Sequence, residues 1–80
     1  MKARIHIFYK EAVFDPQGNT IHQSLTQLGF SKVKSVRAGK ILNLEVESRN
    51  PDEAKADIKK MCEKILVNPV METFEIEILN

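Results

Sequence analysis

Val33-Lys34-Ser35-Val36-Arg37-Ala38-Gly39-Lys40-Ile41-Leu42-Asn43-Leu44-Glu45-Val46-Glu47 is the stretch that decides how many strands the sheet has. Val36, Ala38, Leu42, Leu44 and Val46 share one parity, the period-two pattern of a half-buried strand. Lys34 and Lys40 share it too, and Ala38-Gly39-Lys40 lies at the centre. Two readings keep the apolar side chains on one face. In a hairpin with a three-residue loop, Arg37 pairs with Ile41 and Val36 with Leu42. In the alternative, the two strands are one long strand bent at Gly39. A two-residue turn at Ala38-Gly39 would pair Val36 with Ile41 and throw Leu42 onto the opposite face, so register disfavours it. The hairpin is the preferred reading.

Towards the N-terminus, Asp15-Pro16 starts a helix. The carboxylate caps an orphan backbone N–H, and proline gives up nothing at the first helical position. Ile21, Leu25 and Leu28 follow at helical spacing, and Gly29 supplies the left-handed residue that ends the helix. Phe30 then folds back towards Leu25. The spacing predicts a helix over Pro16–Leu28. Before it, Ala3, Ile5, Ile7 and Tyr9 alternate with Lys2, Arg4, His6, Phe8 and Lys10, which reads as a strand. Phe8 breaks the pattern by falling on the polar face.

Towards the C-terminus, Asn50-Pro51-Asp52-Glu53 joins an N-cap, a first-position proline and a capping-box glutamate. Ala54, Ile58, Met61 and Ile65 form the expected buried stripe, with Cys62 and Leu66 beside it. Asn68-Pro69 stops the helix. Phe74, Ile76 and Ile78 alternate with Glu75 and Glu77 in a last strand. The order predicts an α+β, ferredoxin-like βαββαβ domain over residues 1–80, an antiparallel sheet with both helices on one face.

Composition narrows the function classes. Twelve Lys and Arg against eleven Asp and Glu leave a formal charge of +1, spread along the chain. That lacks the basic excess a nucleic-acid-binding surface needs. No apolar run approaches the ~20 residues of a membrane span, and no signal peptide is visible. The lone Cys62 cannot form an internal disulfide, which suits a reducing cytoplasm. A core of this size supplies roughly 3–5 kcal/mol net, so self-association is expected as added stability.

No catalytic, cofactor-binding or metal-ligating residues emerge. His6 and His22 stand apart from any ligand spacing, and neither a Walker loop nor a dinucleotide fingerprint occurs. Cys62 falls on or beside a buried stripe and reads as a small hydrophobe, not a nucleophile. The helix start at Asp15-Pro16-Gln17-Gly18 aims N–H groups outward, but Asp15 would repel an anion. Asp52, Glu53 and Asp57 cluster at a helix N-terminus, the usual place for capping acids. Phe8, Phe14, Val70 and Met71 are apolar residues outside the core patterns. They are the candidate interface residues, since aromatic and Met side chains are enriched in interfaces.

In sequence order, several segments resemble one family. Phe14-Asp15-Pro16-Gln17-Gly18 stands where that family has Leu-Asp-Pro-Gln-Gly. The segment from His22 to Phe30 resembles its helix ending in Leu-Gly-Phe. Val33-Lys34-Ser35-Val36-Arg37-Ala38-Gly39-Lys40 resembles its Val-x-x-Val-Arg-x-Gly-Lys. Leu66-Val67-Asn68-Pro69-Val70-Met71-Glu72-Thr73-Phe74-Glu75-Ile76 resembles its closing Leu-x-Asn-Pro-Val-Ile-Glu-x-Tyr-x-Ile. The family is PurS, the small subunit of phosphoribosylformylglycinamidine (FGAM) synthase. Phe14, Glu11-Ala12 and Phe74 depart from its usual aliphatic, Pro-Gly and Tyr. The resemblance implies a non-catalytic part in purine biosynthesis. It implies a homodimer or tetramer that bridges a glutaminase subunit (PurQ) and a synthetase subunit (PurL) and helps ammonia pass between them. ATP and Mg would be used by the synthetase subunit and no cofactor by this chain. The competing expectation is a stand-alone small-molecule-binding regulator of ferredoxin-like fold, because fold alone does not fix function.

Overall fold

A computed structural model describes residues 1–79. Strand β1 (Lys2–Tyr9) leads to helix α1 (Pro16–Gln27), strand β2 (Gly39–Glu45), helix α2 (Pro51–Met61) and strand β3 (Glu72–Ile78). A wide π-helical turn, Cys62–Leu66, extends α2. The sheet has the order β2-β1-β3 and is antiparallel throughout, with Ile5 opposite both Leu42 and Ile76.

The alternation in β1 works as its sequence dictates. Ala3, Ile5 and Ile7 point to one face and are at most 1% exposed. α2 covers that face with Ile58 and Cys62, joined by Val67 just past the wide turn. Leu42, Leu44, Phe74, Ile76 and Ile78 pack around this core but stay partly exposed.

Both helices begin at the expected caps. The Asn50 side chain accepts the N–H groups of Asp52 and Glu53 at 2.9 and 3.2 Å. α1 ends at Leu28, with Gly29 at φ 97°. The N–H of Phe30 donates to the Leu25 carbonyl at 2.9 Å, and that of Gly29 to Thr26 at 3.1 Å. These two bonds form the reversed ending that the glycine makes possible.

Two details differ from the sequence expectation. The hairpin is not formed, and the sheet has three strands. Gly39, expected inside the loop, pairs with Phe8 as the first residue of β2. A Cβ there would stand 2.9 Å from the Ile7 carbonyl oxygen, so a glycine permits the close approach. Residues 33–38 lie along α1 instead, where His22 Nε2 donates to the Val33 carbonyl at 2.9 Å. Gly18 meets the Val36 backbone so closely that a methyl group would overlap its carbonyl oxygen. The chain thus enters β2 without reversing, closer to the alternative reading. The second difference is in α2. Ala54, Ile58 and Cys62 are buried, whereas Met61 is 38% and Ile65 80% exposed. An i, i+4 row faces the sheet, and the wide turn carries it on from Cys62 to Val67, whose N–H reaches the Cys62 carbonyl at 3.1 Å.

The molecule measures 49 × 26 × 14 Å with a radius of gyration of 16.0 Å. A compact chain of this length would have about 12 Å. α1 packs little against the sheet, and its Ile21, with Leu28 and Phe30 just past it, is exposed.

Candidate interaction surfaces

Chemistry-bearing side chains are engaged in structure. Cys62 is fully buried, and burial, with a smaller effect from Glu63, pushes its thiol pKa up. That is the opposite of what a nucleophile needs. Among the described residues, no three His, Cys, Asp or Glu side chains come together as a metal-ligand set.

Asp15 holds two parts of the chain together. It is 2% exposed. The Gly18 N–H donates to Oδ1 at 2.9 Å, capping α1. The Ala38 N–H donates to Oδ2 at 2.6 Å, tying the entrance of β2 to the base of the helix. These two bonds, Gly18 first, together with the Arg37 charge, hold its carboxyl below the ordinary value. The N–H group at the start of α1 that might have met an anion thus meets the chain's own carboxylate. Arg37 Nη2 donates to the Lys10 and Val13 carbonyls at 3.1 and 2.9 Å, closing the loop between β1 and α1.

The other built feature is the loop between the wide turn and β3. Asn68 Oδ1 accepts the N–H groups of Val70 and Met71 at 3.0 and 3.3 Å. The Asn68 N–H donates to Glu72 Oε1 at 2.8 Å, and the Glu72 N–H returns to the Asn68 carbonyl at 2.8 Å. Lys10 secures the loop from β1: its N–H donates to the Met71 carbonyl at 2.9 Å and its Nζ to the Pro69 carbonyl at 2.8 Å. A short loop so braced presents Val70, 77% exposed, and Met71 on a fixed frame.

The four candidate residues are all exposed on the single chain, and they do not form one patch in sequence or topology. Val70 and Met71 share the braced loop. Phe8 lies on the polar sheet face, its ring stacked on His6 with centroids 6.4 Å apart. Phe14 sits at the base of α1. On the same polar face Arg4 donates to Asn43 Oδ1 at 3.1 Å, and His6 Nε2 lies 3.3 Å from Glu77 Oε1. Sequence reasoning used Ile21 and Leu28 only as the helical spacing of α1 and so missed them as surface residues. A signal was available: no Asp, Glu, Lys or Arg occurs between Pro16 and Gln27. Interface cores are depleted of charge in the same way.

Comparison with known proteins agrees with the fold and extends it. The family model PurS, phosphoribosylformylglycinamidine (FGAM) synthase, matches residues 2–80. A PurS subunit from Archaeoglobus fulgidus is 41% identical over 76 residues, covering 95% of each chain. One from Thermotoga maritima is 43% identical over 75 residues, 94% of this chain and 92% of that one. The crystal structure of Methanocaldococcus jannaschii PurS matches with a TM-score of 0.85 at 37% identity, covering 95% and 92% of the two chains. A chain in the structure of PurLQS from Thermotoga maritima matches at 0.86 and 42% identity, covering 95% and 93%. The motifs that carry the resemblance also carry the frame. Asp15 and Gly18 fasten α1, Arg37 and Gly39 set the entry to β2, and Asn68 builds the displayed loop. On full-length agreement of sequence and fold, the chain belongs to the PurS family of FGAM synthase subunits.

Proposed function

We propose that this chain is the small, non-catalytic subunit of FGAM synthase in purine biosynthesis, joining a glutaminase subunit (PurQ) to a synthetase subunit (PurL). The observation that carries this reading is the match, over 95% of the chain, to a component of PurLQS. The braced loop at Val70 and Met71 and the uncharged α1 are surfaces suited to that work. Phe8 and Phe14 are further candidate contacts. In this reading copies of the chain associate as a homodimer or tetramer in the cytoplasm, ATP and Mg serve the synthetase subunit, and this chain holds no cofactor.

The physical service is containment. Ammonia released into neutral water is mostly protonated and no longer nucleophilic. A route enclosed by protein keeps it neutral and near the substrate amide that the synthetase activates. A subunit that only shapes such a route needs no reactive centre. Mixing the pure chain with candidate glutaminase and synthetase subunits, with ATP–Mg and glutamine present, tests the reading. Co-elution of all three is expected. Failure to retain either partner, or turnover of substrate by this chain alone, would overturn it.

A further inference from the structure

The inward face of the sheet changes character at one end. Along β1, Ala3, Ile5 and Ile7 are apolar and buried, but the next residue of that parity is Tyr9. The flanking strands change at the same level. Lys40 stands opposite Ile7, in the parity of Leu42 and Leu44. Glu72 stands opposite Tyr9, in the parity of Phe74 and Ile76. Polar groups gathered on the apolar side of a sheet are the informative exception to ordinary burial. Gln17, in the first turn of α1, meets them from the helix side. With Ile7 and Gly39, these residues line an open cleft of about 120 Å³.

The charges in the cleft form an unclosed pair. The Glu72 side chain is 16% exposed and anchored, since its Oε1 accepts the Asn68 N–H at 2.8 Å. Its Oε2 lies 3.7 Å from Lys40 Nζ. A closed charge-assisted bond of this kind measures about 2.7–2.9 Å. The Lys40 side chain is more than half exposed and free to swing, whereas Glu72 is not. The two charges cancel, so neither a lone anion nor a lone cation gains from entering. A ligand that carries both charges a few atoms apart can meet both groups at once. Size narrows the class further. An apolar cavity of about 150 Å³ holds benzene, with its six heavy atoms. The cleft is therefore scaled to about five or six heavy atoms. The Tyr9 hydroxyl and the Gln17 carboxamide add donors and acceptors for such a polar guest.

We propose that this cleft binds a small zwitterion of the α-amino acid type, of the size of glycine or alanine. Its carboxylate is held by Lys40 and its ammonium group by Glu72. The bound molecule would join the ends of β1, β2 and β3 to the first turn of α1. That is the junction Asp15 already ties through Gly18 and Ala38. A guest that binds only the folded chain raises its Tm. The site goes beyond the assembly role and does not depend on it.

The test is a titration of isotope-labelled full-length protein, in whatever oligomeric state it adopts, with glycine. Saturable shifts of the Tyr9, Lys40 and Glu72 amide signals are expected in the millimolar range, as suits so small a ligand. Acetate and methylammonium carry one charge each and should bind at least about tenfold more weakly. Lys40→Met and Glu72→Gln should each weaken glycine binding by a similar factor. Glu72→Gln keeps an oxygen for the Asn68 N–H, so the neighbouring loop is preserved. Should either variant fail to fold, the three probes on wild-type protein decide alone. Absence of saturable shifts at tens of millimolar glycine would overturn the proposal. So would equal shifts from acetate or methylammonium, or folded variants that titrate like wild type.

Discussion

α1 and α2 are of nearly equal length and open with the same device, but only α2 packs substantially against the sheet. Each has a capping side chain followed by proline. α2 carries Asp52, Glu53, Lys55, Asp57, Lys59 and Lys60 on its outer side and buries Ala54 and Ile58 against the sheet. It is an ordinary amphipathic cover. α1 has no charged side chain and buries only Gly18. A solvent-facing helix needs charge, and a core helix needs something to lie on. Without such charge, and with Ile21 and Leu28 exposed, α1 has the composition of an interface surface.

The difference between α2 on the sheet and the uncharged α1 can be broken experimentally. The largest effect is expected from Ile58→Ala. Removing a fully buried side chain costs about 2–5 kcal/mol, comparable to the whole net stability of such a core. Urea unfolding should show most of the stability lost. Leu28→Ala, by contrast, should leave the unfolding of a dilute single chain within about 0.5 kcal/mol of wild type. Equal losses from the two would erase the distinction.

Gly18→Ala comes next. A helical alanine normally gains stability over glycine, but here its methyl would overlap the Val36 carbonyl oxygen and the Asp15 carboxylate. Overpacking against backbone should outweigh the propensity and destabilise by about 1–3 kcal/mol, read as a lower Tm. A raised Tm would show that residues 33–38 do not hug α1.

A smaller effect is carried by Asp15. Its pKa is lower folded than unfolded, so its contribution is present above the ordinary carboxylate value and is lost as pH falls through the folded value. Stability measured against pH should decline through that acidic window. Asp15→Asn should be less stable at neutral pH and flatten the decline. An unchanged profile would show that Asp15 does not tie the base of α1 to the entrance of β2.

Asn68→Ala removes two bonds that hold Val70 and Met71, each worth about 0.5–1.5 kcal/mol. The chain should remain folded and self-associated, while its retention of partner subunits weakens. Least of all is expected from Glu77→Gln on the polar face. Its contacts with Arg4 and His6 are half exposed, and stability should move by less than about 0.5 kcal/mol.

Much of this frame was legible in the residues. Asp15-Pro16, Gly29 and Asn50-Pro51 fixed the helix ends, because capping is local chemistry. Alternation placed β1 and β3 with the correct faces inward. The reading went astray where a pattern has two physical solutions. Parity around Gly39 is satisfied whether the strand reverses or continues, and only the backbone approach to Ile7 and the hold of α1 on Val33–Ala38 decide it. Met61 and Cys62 are both reachable from Ile58 by helical spacing, and the wide turn that carries the buried row from Cys62 to Val67 has no signature of its own. The braced loop was visible only as a connection with two unused apolar residues. Its bracing depends on Lys10, just past β1 and 59 residues away in sequence from Pro69. Surfaces are hardest to read, since a stripe of Ile21, Leu25 and Leu28 looks alike whether it is covered by its own sheet or by another chain.

The central claim is that this chain works through surfaces it offers to other chains, a second copy among them. Light scattering on the purified protein at micromolar concentration tests it most directly. The account predicts a mass of two or four times the 9.1 kDa chain. A stable particle of one chain mass, with both helices intact by circular dichroism, would contradict it.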